Sequence, residues 1–214
     1  MTSFKWKIAQ KLEISWWKRY LSNKDVITYE EWKRNYWNSF LKHTEPFFDV
    51  NRIENALDAG CGPAGINMVL NCHVDAIDPL MNAYGQLEHF QYTKQSNVEY
   101  LSAEIENFKS GKSYDLVCCL NVINHVKNII VSLKNLYRLT KPNGYILLSI
   151  DAHNYSLLKY LFRLIPGDAL HPHQYDLIEY KNMLESVGFK LIGEKKIKSE
   201  LIFDYHLLIA KKEL

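Results

Sequence analysis

The stretch NALDAGCGPAG, residues 55–65, carries three glycines at the G-x-G-x-x-G spacing: Gly60, Gly62 and Gly65. A dinucleotide-binding turn with this spacing presents backbone N–H groups and a helix N-terminus to a pyrophosphate. Here Asp58 ends the preceding apolar run, where its carboxylate would repel phosphate, and Pro63 removes one backbone donor. The stretch therefore predicts a turn after a buried strand that suits a ligand carrying a positive charge.

Short β-rich apolar runs recur along the chain, with amphipathic segments between most of them. The runs are NALDAG (55–60), HVDAIDP (73–79), NVEYL (97–101), YDLVCCLNV (114–122) and YILLSID (145–151). This alternation predicts an α/β fold with a parallel sheet wound with helices. The second run is expected about one helix and one strand after the glycine turn, and VKNIIVSLKNLYRL (126–139) is typical of a crossover helix.

The order changes after the fifth run. YSLLKYLFRLIPGD (155–168) predicts a helix that is then broken, and the next helix opens with Asp176 as N-cap, has Glu179 three residues later and closes at Gly188. Two β-like runs, KLIGEKKI (190–197) and LIFDYHLLIA (201–210), follow with only a few residues between them. So short a link predicts an antiparallel hairpin.

Composition restricts the classes of function. The 214 residues are 47% hydrophobic and 23% charged, enough for one sizeable core and a small appendage. No apolar run approaches the roughly 18 to 20 residues of a membrane span, and a net charge of +2 is too weak to indicate a nucleic-acid partner. The four cysteines lack C-x-x-C spacing, which argues against a zinc knuckle or a disulfide framework. We therefore expect a cytoplasmic protein.

The first 50 residues differ from the rest, because they contain all five tryptophans among nine Lys or Arg residues. Thr28 and Glu31 predict a capping box at a helix start, and Trp32, Tyr36 and Phe40 recur every four residues on one face of that helix. Three interpretations are open: the stripe packs on the domain, it forms a lid over a bound substrate, or a basic aromatic helix rests on a membrane surface. We predict an N-terminal helical lid over 1–50 and a ligand-binding domain over 51–214.

Taken together, these motifs resemble the class I S-adenosylmethionine-dependent methyltransferases over roughly residues 53 to 212. The resemblance is carried, in order, by LDAGCGPAG, VDAIDP, YDLVCCLNVINHV, LTKPNGYILLSID and HPHQYDLIEYKNMLESVGF. It implies a Rossmann-like, doubly wound sheet of seven strands whose last strand is antiparallel. It also implies S-adenosylmethionine as cofactor, S-adenosylhomocysteine as product, and a site at the carboxyl ends of strands one, two and four.

The resemblance implies a role for each residue of that site. Asp58 favours the ammonium group of the cofactor directly or through water, Gly60 lets the backbone approach, and Asp78 accepts both ribose hydroxyls. Leu80 or Met81 flanks the adenine. Many members of the family have an acid near the end of strand three for the adenine amino group, where this chain has Ser102, with Glu104 two residues later. The predicted cofactor-binding residues are Asp58, Gly60, Cys61, Gly62, Asp78, Pro79, Leu80, Ser102, Ala103 and Asn121.

Methyl transfer needs mainly alignment, and a base only when the acceptor must lose a proton. Candidate bases follow strands four and five: His125, Asp151, His153, His171 and His173. We select His125 and His153, because they follow strand ends that border the cofactor. The pair His171 and His173 has no third ligand assignable from the sequence, so no metal site is predicted.

The sequence thus predicts a methyltransferase that acts on an O, N or C atom of a small-molecule acceptor. The aromatic N-terminal segment favours an apolar or planar acceptor. Two alternatives remain at this point: a non-catalytic protein that binds the cofactor and serves a partner enzyme, and an NAD-dependent oxidoreductase, against which Asp58 and Pro63 argue. The oligomeric state and the identity of the acceptor stay open.

Overall fold

The computed structural model describes residues 3–153, 175–199 and 203–214. In these ranges the helices are α1 (Ser3–Leu21), α2 (Val26–Lys42), α3 (Met81–Tyr84), α4 (Glu88–Thr93), α5 (Ile129–Leu139) and α6 (Leu177–Ser186). The strands are β1 (Asn55–Ala59), β2 (His73–Ile77), β3 (Val98–Leu101), β4 (Tyr114–Leu120), β5 (Thr140–His153), β6 (Phe189–Ser199) and β7 (Phe203–Lys212). The predicted helix over 155–168, with His171 and His173, lies outside the described residues.

All seven strands form one sheet in the order β3-β2-β1-β4-β5-β7-β6. The first five are parallel, and β7 runs antiparallel to both β5 and β6. The predicted fold class and the terminal hairpin are therefore confirmed. Since β1 pairs with β2 on one side and β4 on the other, the strand order reverses between β1 and β4, and the carboxyl ends there border a crevice.

The sheet is buried on both faces, as the apolar runs of its central strands require. Alternate residues of β4 point to opposite faces: Leu116 and Cys118 join one core cluster, and Val117 and Cys119 join the other. The second cluster is closed by apolar residues of α5 and α6, such as Leu133. The first is closed by α2, α3, α4 and the end of α1, so the N-terminal helices share a core with the sheet.

Helix α2 begins earlier than the sequence predicts. The carboxylate of Asp25 accepts hydrogen bonds from the backbone N–H of Thr28, at 2.9 Å, and from its hydroxyl, at 2.8 Å. Asp25 is therefore the N-cap, and the predicted capping box of Thr28 and Glu31 is wrong, because the stronger, charged acceptor lies three residues upstream. The predicted box of Asp176 and Glu179 on α6 is confirmed.

The aromatic stripe of α2 runs obliquely into the protein. Trp32 is 51% exposed, Tyr36 is half-buried and Phe40 is 2% exposed, while Trp37 is buried beside them. Between β1 and β2, where the sequence predicts about one helix, the chain forms a short 3-10 helix, Ile66–Val69. Helix α2 packs against this short helix and against α4, so an N-terminal helix occupies part of the space that a longer crossover would take.

Candidate active site

The glycine turn after β1 needs its first two glycines for conformation. Gly60 has a φ of +76° and Gly62 a φ of +58°, in the left-handed region that side chains disfavour. A Cβ atom on Gly60 would also lie 2.2 Å from Cγ2 of Val122, the second residue after β4. The N–H groups of Gly60 and Cys61 donate to the carbonyl of Ile77 at 2.7 and 3.2 Å. These contacts hold the turn across the ends of β1, β2 and β4.

The buried side chain of Asp58 stabilises this turn through hydrogen bonds. Its Oδ2 accepts hydrogen bonds from the backbone N–H of Asn67, at 3.0 Å, and from the Asn67 amide, at 2.8 Å. Burial raises the pKa of this carboxyl to about 6, against the lowering effect of those two donors. Gly65, the third glycine, leaves room for the carboxylate, since a Cβ atom there would lie 2.4 Å from Asp58 Oδ2.

Asp78, just after β2, links its own turn to the glycine turn. Oδ1 accepts from the N–H of Leu80 at 2.8 Å, and Oδ2 accepts from the N–H of Gly62 at 3.1 Å. Burial, followed by the nearby Glu13 carboxylate, raises the Asp78 pKa to about 7. Glu13 accepts a 3.3 Å hydrogen bond from the Tyr84 hydroxyl. Helix α1 therefore brings a second carboxylate close to Asp78.

A cavity of about 730 Å³ lies over these strand ends. This volume falls within the roughly 300 to 1,000 Å³ that small-molecule sites occupy. Its floor is formed by residues at the carboxyl ends of β1, β2, β4 and β5, and its roof by side chains of α1 and α2. The aromatic roof residues are Trp6, Trp16, Trp17, Trp32, Tyr36 and Trp37. The Trp37 indole N–H donates to the carbonyl of Ala64 at 3.0 Å, which ties α2 to the glycine turn.

The structure brings half of the predicted cofactor residues to the cavity wall. The residues that line it are Gly60, Cys61, Asp78, Pro79 and Asn121. The residues outside its lining are Asp58, Gly62, Leu80, Ser102 and Ala103. Asp58 and Gly62 lie directly behind the wall, as their bonds to the turn and to Asp78 show. Ser102 points elsewhere, and its hydroxyl donates to the Pro79 carbonyl at 3.3 Å.

Two further polar groups border the same space beyond β4. Asn121 has a φ of +56°, and its N–H donates to the Ser149 carbonyl and hydroxyl at 3.2 and 2.8 Å, so the turn after β4 is fixed to β5. His125, four residues on, lines the cavity. Glu104 also lines it and is paired with Lys127 at 2.7 Å. Of His153, the structure describes only the backbone, paired with Phe203 at the end of β5.

Several cavity residues were missed by the sequence analysis. They are Gln10 and Glu13 of α1, Lys33 of α2, and Lys198 and Tyr205 of the hairpin. Gln10 and Glu13 share a helical face with Trp6 and Trp17, so a polar pair inside an aromatic stripe was the available signal. The side-chain nitrogen of Gln10 is buried and lacks a hydrogen-bond partner among the described residues. Such a donor is suited to a ligand acceptor atom.

The hydrogen-bond acceptors of the cavity fit a ligand with hydroxyl groups and a positive charge. Asp78 lines the cavity, Glu13 and Glu104 add carboxylates, and a positive charge placed beside Asp78 would stabilise the ionised carboxylate that burial disfavours. This is poor chemistry for a pyrophosphate. Among the residues with described coordinates, no three His, Cys, Asp or Glu side chains gather as metal ligands would. Nor is any described helix long and apolar enough to cross a membrane.

Comparison with known proteins gives a consistent result. A family model described as a methyltransferase domain matches residues 29–194. The chain is 30% identical to the ubiquinone biosynthesis O-methyltransferase of Rickettsia canadensis, over 60% of this chain and 63% of that protein. It is 29% identical to the protein of the same name from Rickettsia prowazekii, over 90% of this chain and 92% of that one. The first match thus spans less than two thirds of that relative.

Solved structures share the fold. The magnesium protoporphyrin IX methyltransferase of Synechocystis PCC 6803 with bound S-adenosylhomocysteine has a TM-score of 0.68, at 16% identity, covering 98% of this chain and 100% of that one. A Burkholderia thailandensis 1,6-didemethyltoxoflavin-N1-methyltransferase has a TM-score of 0.65, at 15% identity, covering 100% of this chain and 92% of that one.

Proposed function

We propose that this chain, which belongs to the methyltransferase domain family, transfers a methyl group from S-adenosylmethionine to a hydroxyl oxygen of a small planar acceptor. The family and fold rest on the match over residues 29–194 and on the sheet order. The choice of an oxygen acceptor draws on the O-methyltransferases among its relatives. This choice selects oxygen from the three acceptor atoms, O, N or C, that the sequence left open.

One observation carries the proposal: a single cavity has an acidic floor at the strand ends and an aromatic roof from α1 and α2. The floor suits the adenosyl and ammonium parts of the cofactor. The roof suits a flat acceptor, since tryptophan and tyrosine rings offer large, rigid apolar faces. A shared space of about 730 Å³ lets both reactants lie in contact, which is the main requirement for methyl transfer.

The cofactor would be held by the residues around the glycine turn. Each carboxylate oxygen of Asp78 accepts one hydrogen bond from a backbone N–H of the neighbouring turns. Each oxygen therefore keeps a lone pair that can accept a hydrogen bond from a ribose hydroxyl. Gly60 and Cys61 present backbone at close range, and Asp58 keeps the turn in shape and adds negative charge behind it. Pro79 and Asn121 complete the lining, and the Gln10 amide is a donor for the cofactor's polar atoms. When bound, S-adenosylmethionine supplies an electrophilic methyl group on a sulfonium.

An acceptor hydroxyl must lose its proton as the methyl group arrives. His125 is the described histidine of the cavity wall and is the base we propose, with His153 at the end of β5 as the second candidate. Asp151 also lines the cavity close to Tyr36 and Tyr205, whose pKa values its negative charge raises further above the values set by burial. The acceptor hydroxyl would thus lie among groups able to take or relay a proton.

Other features fit the same proposal. Helices α1 and α2, within residues 1–50, act as the lid of the catalytic domain over 51–214, although they share its core. All four cysteines are free thiols, which agrees with a reducing cytoplasmic location. The proposed partner is a small-molecule acceptor and not a nucleic acid.

The decisive test is incubation of the protein with radiolabelled S-adenosylmethionine and a panel of catechols, followed by identification of the labelled product. Label on a phenolic oxygen, lost in the His125→Ala variant, supports the proposal. Binding of S-adenosylhomocysteine without transfer to the panel or to a metabolite extract of the source organism favours the non-catalytic alternative. A larger thermal stabilisation by NAD than by S-adenosylhomocysteine favours the oxidoreductase alternative.

A further inference from the structure

Lys33 lies in an unusual place for a lysine. It lines the cavity, and its ammonium lies 5.4, 5.5 and 5.3 Å from the ring centres of Trp32, Tyr36 and Trp37. Burial lowers its pKa to about 8. The three rings favour the charged form, so the amine still carries its proton at neutral pH. The aromatic roof therefore contains one partly desolvated positive charge.

This charge has no counterion among the described residues. Burial is the one cause that lowers the Lys33 pKa, and no carboxylate raises it. Lys127, in contrast, is paired at 2.7 Å with Glu104, which also lines the cavity. A buried charge without a partner costs free energy, and an ammonium has three donors to satisfy. The lysine is thus arranged to pair with an anion that none of the described residues supplies.

We propose that Lys33 binds an oxyanion, a carboxylate or an ionised phenol, that is held between the aromatic roof and the acidic floor. The proposal rests on the function proposed above and adds the charge of the acceptor to it. The acceptor is then a planar molecule with an anionic oxygen, and Lys33 is a positioning residue. The carboxylates of Asp78 in the floor and of Glu13 on α1 would repel this oxygen and direct it towards Lys33.

A carboxylate could also come from the methionyl part of the cofactor. Both sources are structurally reasonable, because Trp37 links Lys33 to the glycine turn: its ring lies beside the Lys33 ammonium, and its N–H donates to the carbonyl of Ala64. The chemistry at Lys33 is the same in either case. The experiment must therefore separate an anion on the acceptor from an anion on the cofactor.

The first arm uses the protein saturated with S-adenosylhomocysteine and two probes, 3,4-dihydroxybenzoate and catechol, which differ by one carboxylate. Calorimetric titration should give at least tenfold tighter binding of 3,4-dihydroxybenzoate, as expected for a hydrogen bond to a charged group. The Lys33→Met variant should lose this preference, and Lys33→Arg should keep part of it. Lys24→Met is the matched control, because Lys24 lies 5.0 Å from the Tyr20 ring but outside the cavity lining.

The second arm compares S-adenosylhomocysteine with 5′-methylthioadenosine, which lacks the amino-acid part. If the cofactor supplies the anion, Lys33→Met weakens binding of the first about tenfold or more and leaves the second unchanged. Either pattern supports an oxyanion at Lys33 and assigns its source. Equal effects of Lys33→Met on charged and uncharged probes, or no effect on any probe, would overturn the proposal. If the wild-type protein binds no S-adenosylhomocysteine, the proposed function fails as well, so the two failures are distinguishable.

Discussion

The replacement Asp78→Asn should remove most of the affinity for S-adenosylhomocysteine. In the wild-type protein each Asp78 oxygen accepts one backbone N–H, from Leu80 at 2.8 Å and from Gly62 at 3.1 Å. Asparagine has one acceptor oxygen, so its amide group must face a backbone N–H donor, and at least one bond to the ribose is lost. A hydrogen bond to a charged group is worth roughly 1.5 to 3 kcal/mol. The dissociation constant should therefore rise roughly 10- to 150-fold.

The assay is isothermal titration at pH 8, above the Asp78 pKa of about 7, so that the wild-type carboxyl is ionised. Asp115→Asn is the matched control. That carboxylate lies at the amino end of β4, on the opposite edge of the sheet, where it binds Lys141 and the N–H of Asn55. The control should change stability but not affinity. An Asp78→Asn variant that is folded and binds within a factor of about three of wild type would refute the role of Asp78, since that factor corresponds to under 1 kcal/mol.

Three other outcomes are expected. The pKa values of Asp58 and Asp78 are raised to about 6 and about 7, so the folded protein without cofactor holds more protons than the unfolded chain. The free energy of unfolding that these two groups contribute should therefore fall as the pH rises from about 4 to about 7. The thermal shift given by S-adenosylhomocysteine should accordingly grow between pH 5.5 and pH 8, and a constant shift would contradict this. Gly65→Ala should cost about 1 to 3 kcal/mol in a denaturation experiment through overlap with Asp58, whereas Gly111→Ala, with nothing within 4 Å, should be neutral; equal stability of the two variants would argue against it. Deletion of residues 1–24 should weaken binding of S-adenosylhomocysteine in calorimetry, because it removes helix α1 with its part of the cavity wall, and unchanged affinity in a folded protein would show that α1 is dispensable for the cofactor.

The fold was largely predictable from the sequence, because its signals are local. The turn after β1 could be identified from Gly60 and Gly62, whose positive φ values follow from the turn itself. The antiparallel end of the sheet followed from the short link between two apolar runs, and α6 from the capping box that starts at Asp176. Each of these features depends on residues that are close in sequence.

The rest of the site depends on contacts between distant residues. Glu13 approaches Asp78 because α1 covers the cavity at the end of β2, and Lys33 borders the cavity because α2 packs against α4 and the short 3-10 helix. Neither arrangement has a signature in spacing. Even a local signal was misread at Thr28, because both its N–H and its hydroxyl donate to the carboxylate of Asp25, which caps the helix three residues upstream.

The central claim is that one cavity holds the methyl donor at the strand ends and the acceptor beneath the helical roof. A crystal structure of the complex with S-adenosylhomocysteine tests this claim most directly. We predict that both ribose hydroxyls lie within hydrogen-bond distance of Asp78 and that the sulfur faces the space between His125 and Tyr36. Cofactor bound outside this cavity, or a sulfur that faces away from the aromatic roof, would contradict the account.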